Sequence, residues 1–142
     1  MTNMRNLGLD IGDRRIGVAI SDPEQILASP LTTIVREDDD IAVGKIVEIV
    51  NKYEVQRIII GLPYSLDGNI GRQASKVKTF VEKLSKCTKA DIELRDERLS
   101  TVAINHLLIE AGIKSKERKE RRDAAAAAFI LQGYLDSLKA CG

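Results

Sequence analysis

Residues 6–21 read Asn6-Leu7-Gly8-Leu9-Asp10-Ile11-Gly12-Asp13-Arg14-Arg15-Ile16-Gly17-Val18-Ala19-Ile20-Ser21, and two alternations run through them. Leu7, Leu9 and Ile11 fall on one side, with Gly8, Asp10 and Gly12 on the other. In the second half Ile16, Val18 and Ile20 oppose Gly17, Ala19 and Ser21. Period two is the repeat of a strand, and the short Asp13-Arg14 link closes the pair as a hairpin. One side of this hairpin is bulky and the other is nearly bare, and Asp10 stands on the bare side.

Outward from the hairpin, Leu27–Val35 reads as a third strand that Pro23 and Pro30 confine to an edge or an irregular course. From Asp38-Asp39-Asp40 the apolar spacing changes: Ala42, Ile46, Ile49, Val50 and Tyr53 follow a 3.6-residue period, and acids in a first turn complement the helix dipole. Arg57–Leu62 is a continuous β-branched run suited to a strand buried on both faces. A Pro/Gly-rich loop over 63–71 precedes a helix over 71–86, a short strand over 92–95, a helix over 100–111 and a last helix over 123–138. The order βββαβαβαα implies a mixed α/β sheet, antiparallel at its start and extended by parallel strands through helical crossovers.

The chain of 142 residues is 44% hydrophobic and 30% charged, which suits one globular domain over 1–142. No apolar run nears the roughly 18–20 residues that span a bilayer. Residues 1–5 lead straight into the first strand without an apolar signal region. Cys87 and Cys141 make neither a disulfide framework nor a metal-ligand spacing. A reducing, cytoplasmic location with no membrane partner is therefore expected. The overall charge of +1 conceals an uneven distribution. Residues 114–122 (KSKERKERR) hold six basic and two acidic residues, while the rest of the chain is net −3. Such a segment is either a footprint for nucleic acid or a solvated charged loop. Five aromatic residues are too few for a base-stacking platform, so any nucleic acid would be held by backbone and shape.

Three acids stand out by position. Asp10 lies mid-strand on the glycine side, where a carboxylate is costly unless bonded or coordinated. Glu97 follows a parallel strand, at the end where open α/β sheets place ligands. Asp123 begins a helical stripe with Ala127, Ile130, Tyr134 and Leu138, opposite Gln132, Asp136 and Lys139. Singly, these are a turn-former, an exposed surface acid and an N-terminal helix acid. Drawn together they would repel one another unless cations intervened. An all-oxygen set suits Mg²⁺ or Mn²⁺, and a pair of such ions serves phosphodiester hydrolysis.

Four stretches in order resemble one family over essentially the whole chain. They are Leu9-Asp10-Ile11-Gly12 through Asp22, Gly61-Leu62-Pro63 with Asp67-Gly68, Asp96–Thr101, and Asp123-Ala124-Ala125-Ala126. The chain resembles the YqgF/RuvX family of the ribonuclease H-like superfamily, bacterial proteins assigned to Holliday junction resolution and to maturation of the small-subunit ribosomal RNA precursor. The resemblance implies a ribonuclease H-like fold, a five-stranded mixed sheet of order 3-2-1-4-5 flanked by helices. It also implies that Asp10, Glu97 and Asp123 are catalytic metal ligands, with Asp96 as a neighbour; two Mg²⁺ or Mn²⁺ ions, which the all-oxygen set suits, are the expected cofactors.

Around these acids, Arg14, Arg15 and Arg98 would hold phosphates, and Lys116 and Arg118 would add salt-dependent affinity from a basic arm over 114–122. The bland alternative for Arg14 is an exposed turn residue. The helix start at Asn69–Gln73 serves either a phosphate or its own cap. His106, the sole histidine, lacks a second ligand nearby. The leading expectation is a metal-dependent nuclease acting on structured RNA or branched DNA, as a monomer or a homodimer. Two other classes are weighed beside it. An actin- or sugar-kinase-type nucleotide binder would need a second such domain, and a non-catalytic ribosome-assembly factor would have no need of all three acids.

Overall fold

A computed structural model describes residues 5–12, 14–63, 70–97 and 115–140. The described elements are β1 (Arg5–Ile11), β2 (Arg15–Ser21), β3 (Ala28–Val35), α1 (Asp39–Tyr53), β4 (Val55–Pro63), α2 (Ile70–Cys87), β5 (Asp91–Glu97) and α3 (Ser115–Ala140). They build one five-stranded sheet of order β3-β2-β1-β4-β5, the order that the family resemblance implied. β1 pairs antiparallel with β2 and parallel with β4, so the opening hairpin supplies the centre of the sheet. The helix expected over 100–111 lies outside the described residues.

The alternation read in β1 and β2 separates two cores. Leu7, Leu9, Ile16 and Val18 face α1 and α2, where Ile46, Phe80 and Leu84 complete a cluster with no exposed surface. Burying each of these large side chains contributes about 1.5–3 kcal/mol, which makes this face the main anchor of the fold. The other face is nearly flat because it carries Gly8, Gly17, Ala19 and Gly61. Against it lies α3, with Ala127, Ile130, Leu131, Tyr134 and Leu135 buried.

Local signals place the element ends. Asp38 caps α1, its carboxylate accepting from the Asp40 N–H at 2.8 Å. Glu54 closes that helix in the left-handed conformation, its N–H bonded to the Val50 carbonyl. β3 is an edge strand, and its register with β2 shifts between Val18 and Ala19, beside the partner of Pro30. A proline without an N–H cannot complete a ladder, and the irregularity falls there.

Three details differ from the sequence reading. The last helix begins at Ser115 rather than Asp123, so Lys116 and Arg118 sit in its first turns and not on a loop arm. Lys116–Glu120 and Glu117–Arg121 stand at the i,i+4 spacing that supports a helix. Leu138 is 40% exposed, because the helix has by then run past the sheet. Gln132 is half-buried and engaged rather than free in solvent. Its side chain donates to the Ile26 carbonyl at 3.0 Å and accepts from the Ala28 N–H at 2.9 Å, fastening the start of β3 to α3.

Candidate active site

Asp10 is half-buried, one residue before the end of β1. Its ladder partner on β2 is Gly17, and the β1–β4 register, carried one step beyond Leu9↔Ile60, brings Gly61 beside it. The carboxylate therefore stands in a row whose two neighbours have no side chains. Over Gly61 that space is taken by Ile130 of α3, whose Cδ1 would stand 2.5 Å from an added Cβ. Asp10 is one of the residues with a polar or electrostatic partner, so it is not an isolated group.

The path of α3 follows from two contacts. Over Gly8, a Cβ atom would lie 2.8 Å from the Ala127 carbonyl oxygen. Further along the helix, the Tyr134 hydroxyl accepts from Arg57, which is level with Asn6 at the start of β1. The helix thus runs opposite to β1. One turn before Ala127, its backbone at Asp123 is carried in the direction that β1 takes from Gly8 to Asp10. Because α3 starts at Ser115, Asp123 lies two turns inside the helix and is not an N-terminal helix acid.

Glu97 is the last residue of β5 and pairs with Pro63 at the carboxyl ends of two parallel strands. Arg95 lies over the Tyr134 ring at 5.8 Å and so belongs to the α3 side of the sheet. Asp96, one step before Glu97 in that register, pairs with Leu62. Only Asp10 among the three acids has a described side chain, and no three His, Cys, Asp or Glu side chains cluster among the described residues.

The turn between β1 and β2 carries Arg14, which is exposed, and Arg15, half-buried at the start of β2. Arg98, His106 and Asn69 lie outside the described residues, as do the side chains of Lys116 and Arg118. One residue near this turn escaped sequence reasoning. Arg36, just after β3, donates to the Gly12 carbonyl at 3.0 Å and pairs with Asp39. No periodicity flags it, since its partner on β1 is 24 residues away. An open hollow of about 610 Å³ bordered by Val50, Val55 and Cys87 lies at the opposite end of the strands and takes no part in this arrangement.

Comparison with known proteins agrees with this arrangement of elements. A family model described as "RuvX: Holliday junction resolvase" matches residues 4–137. A protein of Clostridium botulinum strain Hall, named "Putative pre-16S rRNA nuclease", is 46% identical over 135 residues, covering 95% of this chain and 98% of its own. A Roseiflexus protein of the same name is 44% identical over 133 residues, covering 94% of each. Among solved structures, Thermus thermophilus RuvC in complex with a Holliday junction substrate superposes with a TM-score of 0.63 at 15% identity, covering 96% of each chain. The fowlpox virus resolvase with its Holliday junction DNA gives 0.62 at 13% identity, covering 95% of this chain and 99% of that one. At such identities the likeness is one of fold, and the fold is that of the ribonuclease H-like resolvases. The family model spans almost the full length, the curated relatives match end to end, and the chain belongs to the RuvX family.

Proposed function

We propose that the protein is a metal-dependent nuclease that hydrolyses phosphodiester bonds in structured nucleic acid, and that its substrate is the precursor of the small-subunit ribosomal RNA. The observation that carries this reading is the row around Asp10. A carboxylate flanked by glycines faces a helix whose small residues let the two backbones nearly touch, and Asp123 follows one turn away on that helix. Glu97, at the exit of β5, would complete an all-oxygen set. Hard divalent cations choose such donors, so the residues present fit Mg²⁺ or Mn²⁺. Bound there, the metal would polarise the scissile phosphate and make water a nucleophile near neutral pH.

The protein's own residues would hold and orient. Asp10, Glu97 and Asp123 are the metal ligands in this reading. Arg14 and Arg15 at the turn, with Arg98 beside Glu97, would grip phosphates around the scissile one. Lys116 and Arg118, on the first turns of α3, would add backbone affinity that weakens with salt. The names of the curated relatives support ribosomal RNA as the substrate. The protein would then work in the cytoplasm, where that precursor is made. No described helix is long and apolar enough to cross a membrane.

A second reading, resolution of four-way DNA junctions, is favoured by the description of the family model. Symmetric cutting of a junction needs a two-fold dimer, so this reading also requires self-association. The deciding assay offers precursor ribosomal RNA and a four-way DNA junction to wild type and to Asp10→Asn, with Mg²⁺ or Mn²⁺. Cleavage of the RNA that disappears in a folded Asp10→Asn variant is the expected result. Cleavage of the junction alone, by a dimer, would favour the second reading. Equal activity of the two proteins would end both.

A further inference from the structure

Arg36 belongs to none of the motifs that define the acidic site, yet it grips the turn beside it from two directions. Its side chain is only 11% exposed. Nε donates to Asp39 Oδ1 at 2.8 Å and Nη2 donates to Asp39 Oδ2 at 3.3 Å. Nη1 donates to the Gly12 carbonyl at 3.0 Å. The guanidinium carbon lies 5.2 Å from the centre of the Phe80 ring, which is fully buried under α2. Its backbone N–H donates to the Arg14 carbonyl at 2.7 Å. One residue thus ties the β1–β2 turn to the first turn of α1 and to the core beneath α2.

We propose that Arg36 is a positioning residue for the acidic site, fixing the β1–β2 turn and, through it, the setting of Asp10 and Arg14; the proposal rests on the nuclease reading above. The Ile11↔Ile16 pair ends the β1–β2 ladder, the Gly12 N–H donates across the turn to the Arg15 carbonyl at 2.9 Å, and the Gly12 carbonyl accepts from Arg36. A planar guanidinium can engage both oxygens of a carboxylate and a carbonyl at once, whereas an ammonium acts as a point charge without that fork. Phe80 beneath it limits how far the group can swing. Burying a charge at this rim is costly unless its donors are directed, and here three of them go to the Gly12 carbonyl and to Asp39 in the first turn of α1. Metal ligands need placement to within about 0.5 Å, and Asp10 is only two residues from the gripped carbonyl. Loss of such outer support typically weakens metal binding about 10–100-fold.

The test measures Mn²⁺ affinity by calorimetry on the full-length wild type, Arg36→Lys and Val43→Ala, with hydrogen exchange at the amides of Gly12 and of position 36. Val43 is buried in α1 and touches the core rather than the turn, so its truncation controls for lost stability. Expected is a loss of Mn²⁺ affinity of about tenfold or more in Arg36→Lys with faster exchange at the turn. Val43→Ala should keep wild-type affinity despite a lower melting temperature. Affinity in Arg36→Lys within twofold of wild type would overturn the proposal, as would an equal loss in Val43→Ala. A wild type that binds Mn²⁺ no better than Asp10→Asn would instead remove the nuclease reading, and the positioning role with it.

Discussion

Gly8 and Ala127 meet backbone to backbone: a Cβ added to Gly8 would stand 2.8 Å from the Ala127 carbonyl oxygen and 2.8 Å from Leu131 Cβ. Neither atom is the free end of a side chain, so α3 would have to lift from β1. Gly8→Ala should therefore cost about 1–3 kcal/mol, the usual penalty of overpacking. The melting temperature should fall by several degrees, and nuclease activity should fall further as Asp123 is moved from Asp10. Gly61→Ala meets only the tip and stem of Ile130, at 2.5 and 3.2 Å, and should be milder because that side chain can turn. Equal losses in the two variants would contradict the close backbone approach.

Gly44 provides the opposite case. It lies exposed inside α1, and a Cβ there meets nothing within 4 Å. Alanine relieves the entropic cost of glycine in a helix interior, so Gly44→Ala should stabilise the protein by about 0.5–1 kcal/mol. Thermal melting checks this, and cleavage rates should not change.

The hairpin, the edge strand at Pro30, the buried strand around Ile59 and the capped start of α1 could all be read from periodicity and punctuation. These elements carry their signals within a few residues. The start of α3 could not be read so directly, because the charged run 114–122 looks like a solvated arm until its i,i+4 pairs are noticed. Arg36 was not legible at all: Gly12 and Phe80 lie far away in sequence, and only the folded sheet brings them together. Gln132 fell on the polar side of a helical wheel, yet the chain before β3 comes to meet it.

That contact gives a prediction of its own. Gln132 satisfies the Ala28 N–H and the Ile26 carbonyl on the edge of the sheet. Gln132→Ala leaves both to partial solvation and should cost about 1–2 kcal/mol. Hydrogen exchange should quicken first at Ala28. An unaltered exchange rate there would show that the bond does not hold β3.

Metal binding should be visible without catalysis. A ligand that binds only the folded chain stabilises it by mass action, about 2.7 kcal/mol at a hundred times its Kd. Added Mn²⁺ should raise the melting temperature of wild type, and the rise should vanish in Asp10→Asn. On the proposed ligand set the substitution removes one of three carboxylate charges, and the variant should melt no lower than wild type in metal-free buffer. An equal Mn²⁺ effect on both proteins would place the ion elsewhere.

Acid should expose the Arg36–Asp39 pair. The hydrogen bond from Arg36 holds the Asp39 carboxyl below the 3.8 of a free aspartate, and the charge of Arg36 acts in the same direction against partial desolvation. A folded-state pKa lower than the unfolded one means stabilisation that is complete above about pH 4 and lost as pH falls through the folded value. Asp39→Asn removes that contribution at neutral pH but has nothing to remove once the wild-type carboxyl is protonated. The gap in melting temperature between wild type and Asp39→Asn should therefore be widest near pH 7 and should shrink toward pH 2. Asp22, lowered by the backbone N–H groups of Leu27 and Ile26, titrates over the same range in both proteins and cancels from the difference. A gap that stayed constant from pH 7 to pH 2 would mean that the charge on Asp39 contributes nothing and that only its shape matters to Arg36.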